Sequence, residues 1–319
     1  MLLFSGSKDT MRIITNFVHK TLPRWQQNYI ITTFKSSLSQ QPHPNFQSHR
    51  RGNIIKPVLF TFGVSAGAFG GCAILQYERL KSNHNVHPGR RFYGEKGVQF
   101  RKQLNRWWNN LHEGQKVAAS IIGINLLVFT CWQFPVNRVF MTKWFTSTPL
   151  LRKSSPLLWS CFSHSEIWHI GANMFVLWSF SPLIQSLLGT EQFIAFYIAG
   201  GTFASLASHC FKVATALSVP SLGASGALLA VLAACCIERP DAQLSILFLP
   251  FFTFSAQTAL YSIIALDVTG LLLRWKLFDH ACHLGGTMFG SWYVMYGHKV
   301  TWDKRGPLIS WWHSIRKEK

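Results

Sequence analysis

Long apolar stretches recur from residue 57 to the end of the chain. A helix needs about 20 apolar residues to cross a hydrocarbon core of about 30 Å. Lipid offers no partner to an open backbone, and the stretches lack the alternating pattern of barrel strands, so we predict helices. Seven spans are predicted in this way, at residues 57–76, 117–134, 167–188, 193–213, 222–237, 253–273 and 281–296.

The spacing of these spans separates one leading helix from a group of six. We predict that residues 57–76 form an extra N-terminal transmembrane helix and that a basic linker follows at 77–115. The later spans are closer together, so residues 116–297 are predicted to form one six-span core, with a basic tail at 298–319. The predicted fold class is an all-α membrane protein with six core helices and one additional N-terminal helix.

The first 55 residues differ in character from the rest of the chain. Seven basic residues face a single acid, Asp9, among many Ser, Thr, Asn and Gln side chains. A basic, hydroxyl-rich and acid-poor leader is typical of an organellar transit peptide, and this one lacks the compact apolar core of a secretory signal. We therefore predict a mitochondrial transit-like leader at 1–55, with a disordered cytosolic tail as the alternative.

Composition agrees with lipid as the main solvent. Only 13% of residues are charged and 48% are hydrophobic, whereas soluble domains have about 25% charged residues. The net charge of +19 could indicate nucleic acid, but the cations lie in the leader and between apolar spans. That distribution favours anionic lipid headgroups, and we predict no nucleic-acid partner. The seven cysteines show no disulfide or zinc spacing.

Two local features carry further expectations. Gly63, Gly67 and Gly71 are spaced by four in the first span, which predicts a ridge where another helix backbone approaches closely. Residues 244–252 precede the sixth span and contain Pro250, so we predict a shallow or irregular approach to that span.

Polar residues inside the spans are functional candidates, because uncompensated polar groups are costly in lipid. The first is Ser225, in the string Gly223-Ala224-Ser225-Gly226 at the start of the fifth span. The string is short enough to occur by chance. Taken alone, it is equally a small-residue packing site in which Gly223 and Gly226 contact a neighbouring helix.

The second candidate is His283, near the start of the seventh span. Gly286 and Gly290 form a small-xxx-small face that lets this helix approach a neighbour, such as the small-residue start of the Ser225 helix. His283 precedes Gly286 by three residues and would be carried into that contact. A metal site shared with His280 is the alternative, although no third ligand at a suggestive spacing accompanies the two histidines.

The third span contributes His169 and Asn173, four residues apart and therefore on one helix face. Taken alone, this pair is better explained by structural hydrogen bonds between helices. Asp267 lies inside the sixth span, where a structural hydrogen bond is as good an explanation as catalysis. The third, fifth and seventh spans enter the membrane from the same side, because one crossing separates each from the next. Ser225, His283 and the His169/Asn173 pair should therefore lie at a similar depth.

These residue types suit hydrolysis by a nucleophilic serine. A serine hydroxyl needs a neighbouring base to take its proton, and His283 is the best-placed candidate for Ser225. The Asn173 and His169 side chains and the Ser225 backbone N–H could bind the resulting oxyanion. Asp279 lies at the membrane edge and no acid is evidently placed to orient His283, so we predict a Ser-His dyad without a third carboxylate.

These motifs resemble, in the same order, the three diagnostic motifs of the rhomboid intramembrane proteases. The resemblance covers about residues 115–297 and implies a rhomboid-type six-helix core. It also implies that Ser225 is the nucleophile, that His283 is the general base, and that Asn173 and His169 act on the oxyanion side.

The resemblance extends to further positions. His164 matches a family position with a structural role. Cys282 stands where many members have alanine; because cysteine and alanine are both small, we expect little consequence from this difference. The leader, the extra span and the strings at 278–281 and 292–298 are similar to the mitochondrial inner-membrane branch. That similarity implies single-span transmembrane proteins as substrates, the inner membrane as the location, and no metal or organic cofactor.

Two other functions stay open at this point. One is a catalytically inactive rhomboid-like chaperone that binds transmembrane helices. The other is a small-molecule transporter whose pathway is lined by Ser225, Asn173 and Asp267. If the leader is imported, the mature N-terminus stays in the matrix, and counting the crossings places the active-site face on the matrix side.

Overall fold

The computed structural model describes residues 54–85, 98–151, 153–246, 249–275 and 278–317. Most of the predicted leader, residues 1–53, lies outside them. The described chain is mainly helical. Its elements are α1 Ile55–Asn85, α2 Val98–Asn110, α3 Glu113–Gln133, α4 Arg138–Trp144, α5 Pro156–Trp159, α6 Ile167–Leu188, α7 Thr190–Ala214, α8 Ser225–Glu238, β1 Gln243–Ile246, β2 Leu249–Ser255, α9 Ala256–Leu272, α10 His280–Trp292, α11 His298–Thr301 and α12 Gly306–Lys317. Short 3-10 turns lie at Pro135–Asn137, Pro149–Leu151, Ser160–Phe162 and Asp303–Arg305.

Each of the seven predicted spans corresponds to a helix. Four helices, α1, α3, α6 and α7, are long and apolar enough to cross a membrane by length and composition. Helices α8 and α9 are shorter apolar helices of 14 and 17 residues. Helix α10 has 13 residues and continues through a π-helical turn, Tyr293–Gly297, into α11. That the three shorter helices also cross the membrane stays a prediction.

Helix α7 lies at the centre of the described fold. In the apolar stretch of α7, 72% of residues are buried, compared with 17% in that of α1. Phe193, Phe196 and Ala199 of α7 are fully inaccessible and belong to a core shared with α6, α8 and α10. The buried residues of α7 occur on all sides of the helix, as expected of a helix that other helices surround. It therefore supports α8 and α10, the two helices that carry Ser225 and His283.

The approach to the sixth span is an antiparallel β-hairpin, so the expectation of an irregular backbone there is wrong. A shallow depth for this segment stays a prediction. Strands β1 and β2 pair Gln243 with Ser255 and Leu244 with Phe254. The aromatic residues of β2 favour a strand, and a two-stranded hairpin has only edge strands, where Pro250 is tolerated. Helix α9 then begins at Ala256, where the Ser255 side chain accepts a hydrogen bond from the Thr258 N–H.

The C-terminal region folds back onto the first helix. The predicted basic tail at 298–319 contains α12, which packs against α1. Trp312 Nε1 donates to Glu78 Oε1 at 2.8 Å, and Arg316 forms an ion pair with the same carboxylate. The paired tryptophans and leucine of this segment supply the apolar face that a free basic tail would lack.

Helix α1 uses a different face from the predicted glycine ridge. Cys72 and Ala73 are buried in a cluster with residues of α7 and α12. Gly63, Gly67 and Gly71 are exposed, and a Cβ added at any of them meets no atom within 4 Å. The expected close approach of another backbone is therefore wrong within the described part of the chain.

Glycines bring α10 against α8. A Cβ on Gly286 would overlap the carbonyl oxygen of Gly226, and one on Gly290 would overlap that of Ala230. A Cβ on Gly226 would lie 2.8 Å from the Cys282 sulfur. The two helix backbones are thus in direct contact over two turns, which is the close approach that small residues permit in membranes.

We expect Gly290→Ala to lower the free energy of unfolding by about 1–3 kcal/mol, because the added methyl group forces α10 away from the Ala230 carbonyl. Thermal unfolding in one detergent measures the change. Gly67→Ala is the matched control, since its Cβ enters open space. An equal change in both variants would contradict this account of the α8–α10 contact.

Candidate active site

A turn that contains Gly223 places Ser225 at the first position of α8. Gly223 has φ +130°, a conformation that favours glycine, and a Cβ there would lie 2.7 Å from the His169 ring. The Gly223 N–H donates to the Ser160 carbonyl at 2.9 Å, and the Ala224 N–H donates to His164 Nε2 at 3.3 Å. The turn is therefore fixed at two consecutive amides. The Ser225 N–H that follows lies in the first helical turn, where no intrahelical carbonyl is available to it.

His164 acts as an acceptor because it is neutral. The side chain is fully inaccessible. Burial, together with the neighbouring His169, lowers its pKa to about 3. The uncharged ring can therefore accept the Ala224 N–H through Nε2 at neutral pH. This contact supports the turn that presents Ser225, in keeping with the structural role implied for His164.

Helix α10 presents His283 to Ser225. Asp279 precedes the helix, and its side chain accepts the Cys282 N–H at 3.0 Å, which caps the first turn. His283 Nε2 lies 3.0 Å from Ser225 Oγ, within hydrogen-bonding distance. The structure therefore brings together the predicted nucleophile and the predicted base, on two helices whose backbones touch.

A carboxylate orients His283, so the expectation that no acid does so is wrong. Asp267 of α9 is 2% exposed, and its Oδ1 lies 3.1 Å from His283 Nδ1. The same oxygen lies 2.6 Å from His280 Nδ1. A carboxylate only accepts hydrogen bonds, so it favours the tautomer of His283 with the proton on Nδ1 and leaves Nε2 free to accept from Ser225.

Of the two predicted oxyanion residues, His169 contacts the turn before Ser225, and Asn173 is bonded to the His169 backbone. The His169 ring packs against Gly223 and against the His164 ring, with centroids 4.8 Å apart. Asn173 is 7% exposed, and its Nδ2 donates to the His169 carbonyl at 2.7 Å. That bond uses one of the two amide hydrogens of Asn173. The oxyanion role of both side chains stays a prediction.

A buried charge cluster, which the sequence did not reveal, fixes the surroundings of the site. Lys212 of α7 is 6% exposed and lies 3.1 Å from Asp279 Oδ2. Ser208 and Ser221 donate hydrogen bonds to the same carboxylate oxygen. Ser221 also pairs through its backbone with Ser147. The cluster thus ties the start of α10 to α7 and to the segment that leads into the Ser225 turn.

Comparison with known proteins covers this whole region. A family model described as a Rhomboid domain matches residues 152–300. Presenilin-associated rhomboid-like protein, mitochondrial, of Homo sapiens is 48% identical over 278 residues, which cover 83% of this chain and 72% of that protein. Presenilin-associated rhomboid-like protein A, mitochondrial, of Danio rerio is 41% identical over 303 residues, which cover 86% of this chain and 79% of that protein. Rhomboid protein 1, mitochondrial, of Saccharomyces cerevisiae is 35% identical over 189 residues, 58% and 54% of the two chains.

The charge cluster generates a prediction about Asp279. Burial raises the pKa of this carboxyl group, but the Lys212 ammonium and three hydrogen bonds outweigh it and hold the pKa below its ordinary value. Asp279→Asn leaves Lys212 buried without a counter-charge, so we expect the free energy of unfolding at pH 7 to fall by about 3–5 kcal/mol.

The pH dependence follows from the direction of that shift. A carboxyl group with a lowered pKa in the folded state stabilises the protein above its unfolded pKa of about 3.9 and loses this effect as the pH falls further. The difference between the wild type and Asp279→Asn should therefore narrow below about pH 4 in thermal unfolding experiments. Asp241→Asn, at an exposed position, is the control; a difference that stays constant with pH would contradict the prediction.

Proposed function

The chain belongs to the rhomboid family, and on that basis we propose that it is a mitochondrial intramembrane serine protease whose nucleophile is Ser225 and whose general base is His283. The observation that carries the proposal is the 3.0 Å separation of Ser225 Oγ and His283 Nε2 at the starts of two packed apolar helices. Similarity to mitochondrial rhomboid proteins over most of the chain supports the same class of activity.

In the proposed reaction, Ser225 Oγ attacks the carbonyl carbon of the scissile peptide bond while its proton moves to His283 Nε2. The carbonyl oxygen of the substrate becomes an oxyanion. When the tetrahedral intermediate collapses, the C–N bond breaks and the His283 imidazolium gives its proton to the leaving amine. The acyl group stays on Ser225. Water then attacks this ester, with His283 again taking the proton, and Ser225 Oγ leaves protonated.

Asp267 is proposed to position His283. Its Oδ1 holds the proton of His283 on Nδ1, and its negative charge stabilises the imidazolium that forms when Ser225 is deprotonated. This role replaces the dyad expected from sequence with a Ser-His-Asp arrangement. Asp267 does not contact the reacting atoms, so it is a positioning residue.

The oxyanion is proposed to bind three donors beside Ser225. They are the Ser225 backbone N–H, the Asn173 side-chain amide and the His169 ring. Proximity supports this assignment, since His169 packs on Gly223, two residues before the nucleophile. One amide hydrogen of Asn173 is not used by its bond to the His169 carbonyl and is available for a substrate oxygen.

We also propose a membrane location and a class of substrate, which membership of the family does not by itself establish. Similarity to proteins named mitochondrial supports that organelle. We propose the inner membrane, with the active site opening to the matrix and with single-span transmembrane proteins as substrates. A membrane-embedded serine site suits such substrates, because a single helix can reach it from the bilayer and become hydrolysed where it is locally unwound.

Ser225→Ala and His283→Ala should each lower cleavage of a single-span reporter by at least about 10³-fold, because each removes a group that takes part in bond breaking. Purified protein in liposomes, assayed for new N-termini of the reporter, measures the loss. Ser179→Ala is the control, since Ser179 is on α6 and bonds only to the Phe175 carbonyl in the described structure. Binding of the reporter without cleavage by the wild type would instead favour a helix-binding chaperone.

Asp267→Asn should lower kcat by at least about tenfold and leave KM within about twofold, because an amide donor facing Nδ1 of His283 favours the wrong tautomer without touching substrate. A merely structural role would lower the amount of folded protein and leave the kcat of the folded fraction unchanged. Kinetics normalised to folded protein therefore separate the two. An unchanged normalised kcat would reject the positioning role.

A further inference from the structure

Asp267, His280 and His283 meet in a pattern that peptide hydrolysis does not require. We propose that they form a binding site for Zn²⁺, and that zinc occupancy blocks the base His283. The metal site stands on the three side chains alone, whereas the inhibitory effect rests on the function proposed above. His280 is central to the proposal, because it contacts Asp267 but not Ser225 in the described structure.

The three residues offer the donor atoms that zinc prefers. Asp267 Oδ1 lies 2.6 Å from His280 Nδ1 and 3.1 Å from His283 Nδ1, and all three ligand atoms lie within 4.8 Å of one another. With metal–ligand bonds of about 2.0–2.1 Å, neighbouring ligands of a tetrahedral zinc lie about 3.3–3.4 Å apart. The 3.1 Å between Asp267 Oδ1 and His283 Nδ1 is close to that separation. His280 Nδ1, at 2.6 Å from the same oxygen, would have to move away from it by about 0.7 Å to make room for an ion bound at this distance.

The fold holds both histidines in place without a metal. They are three residues apart in the first turn of α10 and project to the same side of that helix. The His280 ring is confined by Gly270 of α9, because a Cβ there would overlap its Nε2 and carbon atoms. Phe278 packs against both imidazole rings. His280 Nδ1 therefore points to Asp267 and cannot readily rotate away.

The electrostatic environment favours a cation at this point. Asp267 is 2% exposed, and within the described ranges its ion-pair partners are the two histidines, neither of which carries a permanent charge. A carboxylate buried without a fixed counter-charge is costly. Zn²⁺ would supply that charge directly. Nitrogen donors select Zn²⁺ or a similar transition metal over Mg²⁺ and Ca²⁺, which prefer oxygen ligands.

Zinc binding would stop His283 from acting as a base. A neutral imidazole that binds the metal through Nδ1 keeps its single proton on Nε2. Each histidine therefore changes tautomer when the metal binds: it loses the proton on Nδ1 to water and gains one from water on Nε2. Both rings stay neutral. At His283 this Nε2–H faces Ser225 Oγ, 3.0 Å away. The ring then donates to the hydroxyl and has no lone pair to accept its proton.

The metal site is tested first without any assay of cleavage. Purified full-length Ser225→Ala, which keeps all three ligands, is titrated with Co²⁺ in detergent, and visible absorption of the bound ion is recorded. We expect one Co²⁺ per chain, displaced by one Zn²⁺, without a sulfur-to-metal charge-transfer band from cysteine. His280→Gln in the same background should lose this binding, whereas His298→Gln, a histidine outside the cluster, should keep it.

The inhibitory effect is tested on the catalytically intact protein. Zn²⁺ should lower reporter cleavage at least about tenfold, EDTA should restore it, and Mg²⁺ should have no effect. In His280→Gln the zinc concentration for half inhibition should rise at least about tenfold, with each variant compared to its own metal-free rate. Inhibition that is equal in the wild type and in His280→Gln would overturn the inhibitory role.

Two outcomes separate this proposal from the proposed function. If Ser225→Ala binds no stoichiometric Co²⁺ or Zn²⁺ at neutral pH, the proposal of a metal site is wrong. This conclusion depends neither on the protease activity of the wild type nor on whether His280→Gln folds. If Co²⁺ binds as expected but the metal-free wild type cleaves no reporter, the protease assignment and the inhibition fall while the metal site stands.

Discussion

Direct contact between the backbones of α8 and α10 is the constraint on which the site depends. The carbonyls of Gly226 and Ala230 lie where side chains of Gly286 and Gly290 would otherwise be. Only this close approach lets a short serine side chain at the start of α8 reach an imidazole at the start of α10. In lipid, where apolar burial gives little net driving force between helices, such packing must come from shape and from internal hydrogen bonds.

Two carboxylates each bind several polar groups of the site, although His164 Nδ1 and His280 Nε2 are buried without a hydrogen-bond partner among the described residues. Asp267 serves both His280 and His283, and Asp279 serves Lys212, Ser208 and Ser221. The first carboxylate acts on the imidazole that faces Ser225. The second secures the helix start that carries this imidazole. Loss of either leaves a buried group without its partner, and in the proposed mechanism only the loss of Asp267 alters the chemistry at Ser225.

Sequence predicted the parts of the structure that follow local rules. The polar residues Ser225 and His283 stood out inside apolar spans, and the spacing of Gly286 and Gly290 marked the packing face of α10. By contrast, Asp267 could not be assigned to His283 before the structure, because a polar residue within a helix has no sequence rule for its partner on another helix. The signal was present only as an acid in an apolar segment.

The remaining differences arise from tertiary contacts that override local patterns. The glycine ridge at Gly63, Gly67 and Gly71 has the right spacing for packing, yet α7 and α12 contact another face of α1. The aromatic run before α9 pairs with β1, so that its strand preference outweighs the expected irregular backbone. In both cases the local sequence is compatible with two arrangements, and contacts with neighbouring helices or strands determine which of them forms.

His280 is a further residue whose partner depends on the tertiary fold. Two histidines three apart on one helix give no metal site without a third ligand, and nothing near them in sequence supplied it. The fold brings Asp267 of α9, thirteen residues before His280, to the two imidazoles, where it would be the third ligand of the proposed site. A carboxylate that orients a catalytic imidazole is also a metal ligand by chemistry. What distinguishes this site from an ordinary Ser-His-Asp arrangement is the second imidazole on the same oxygen.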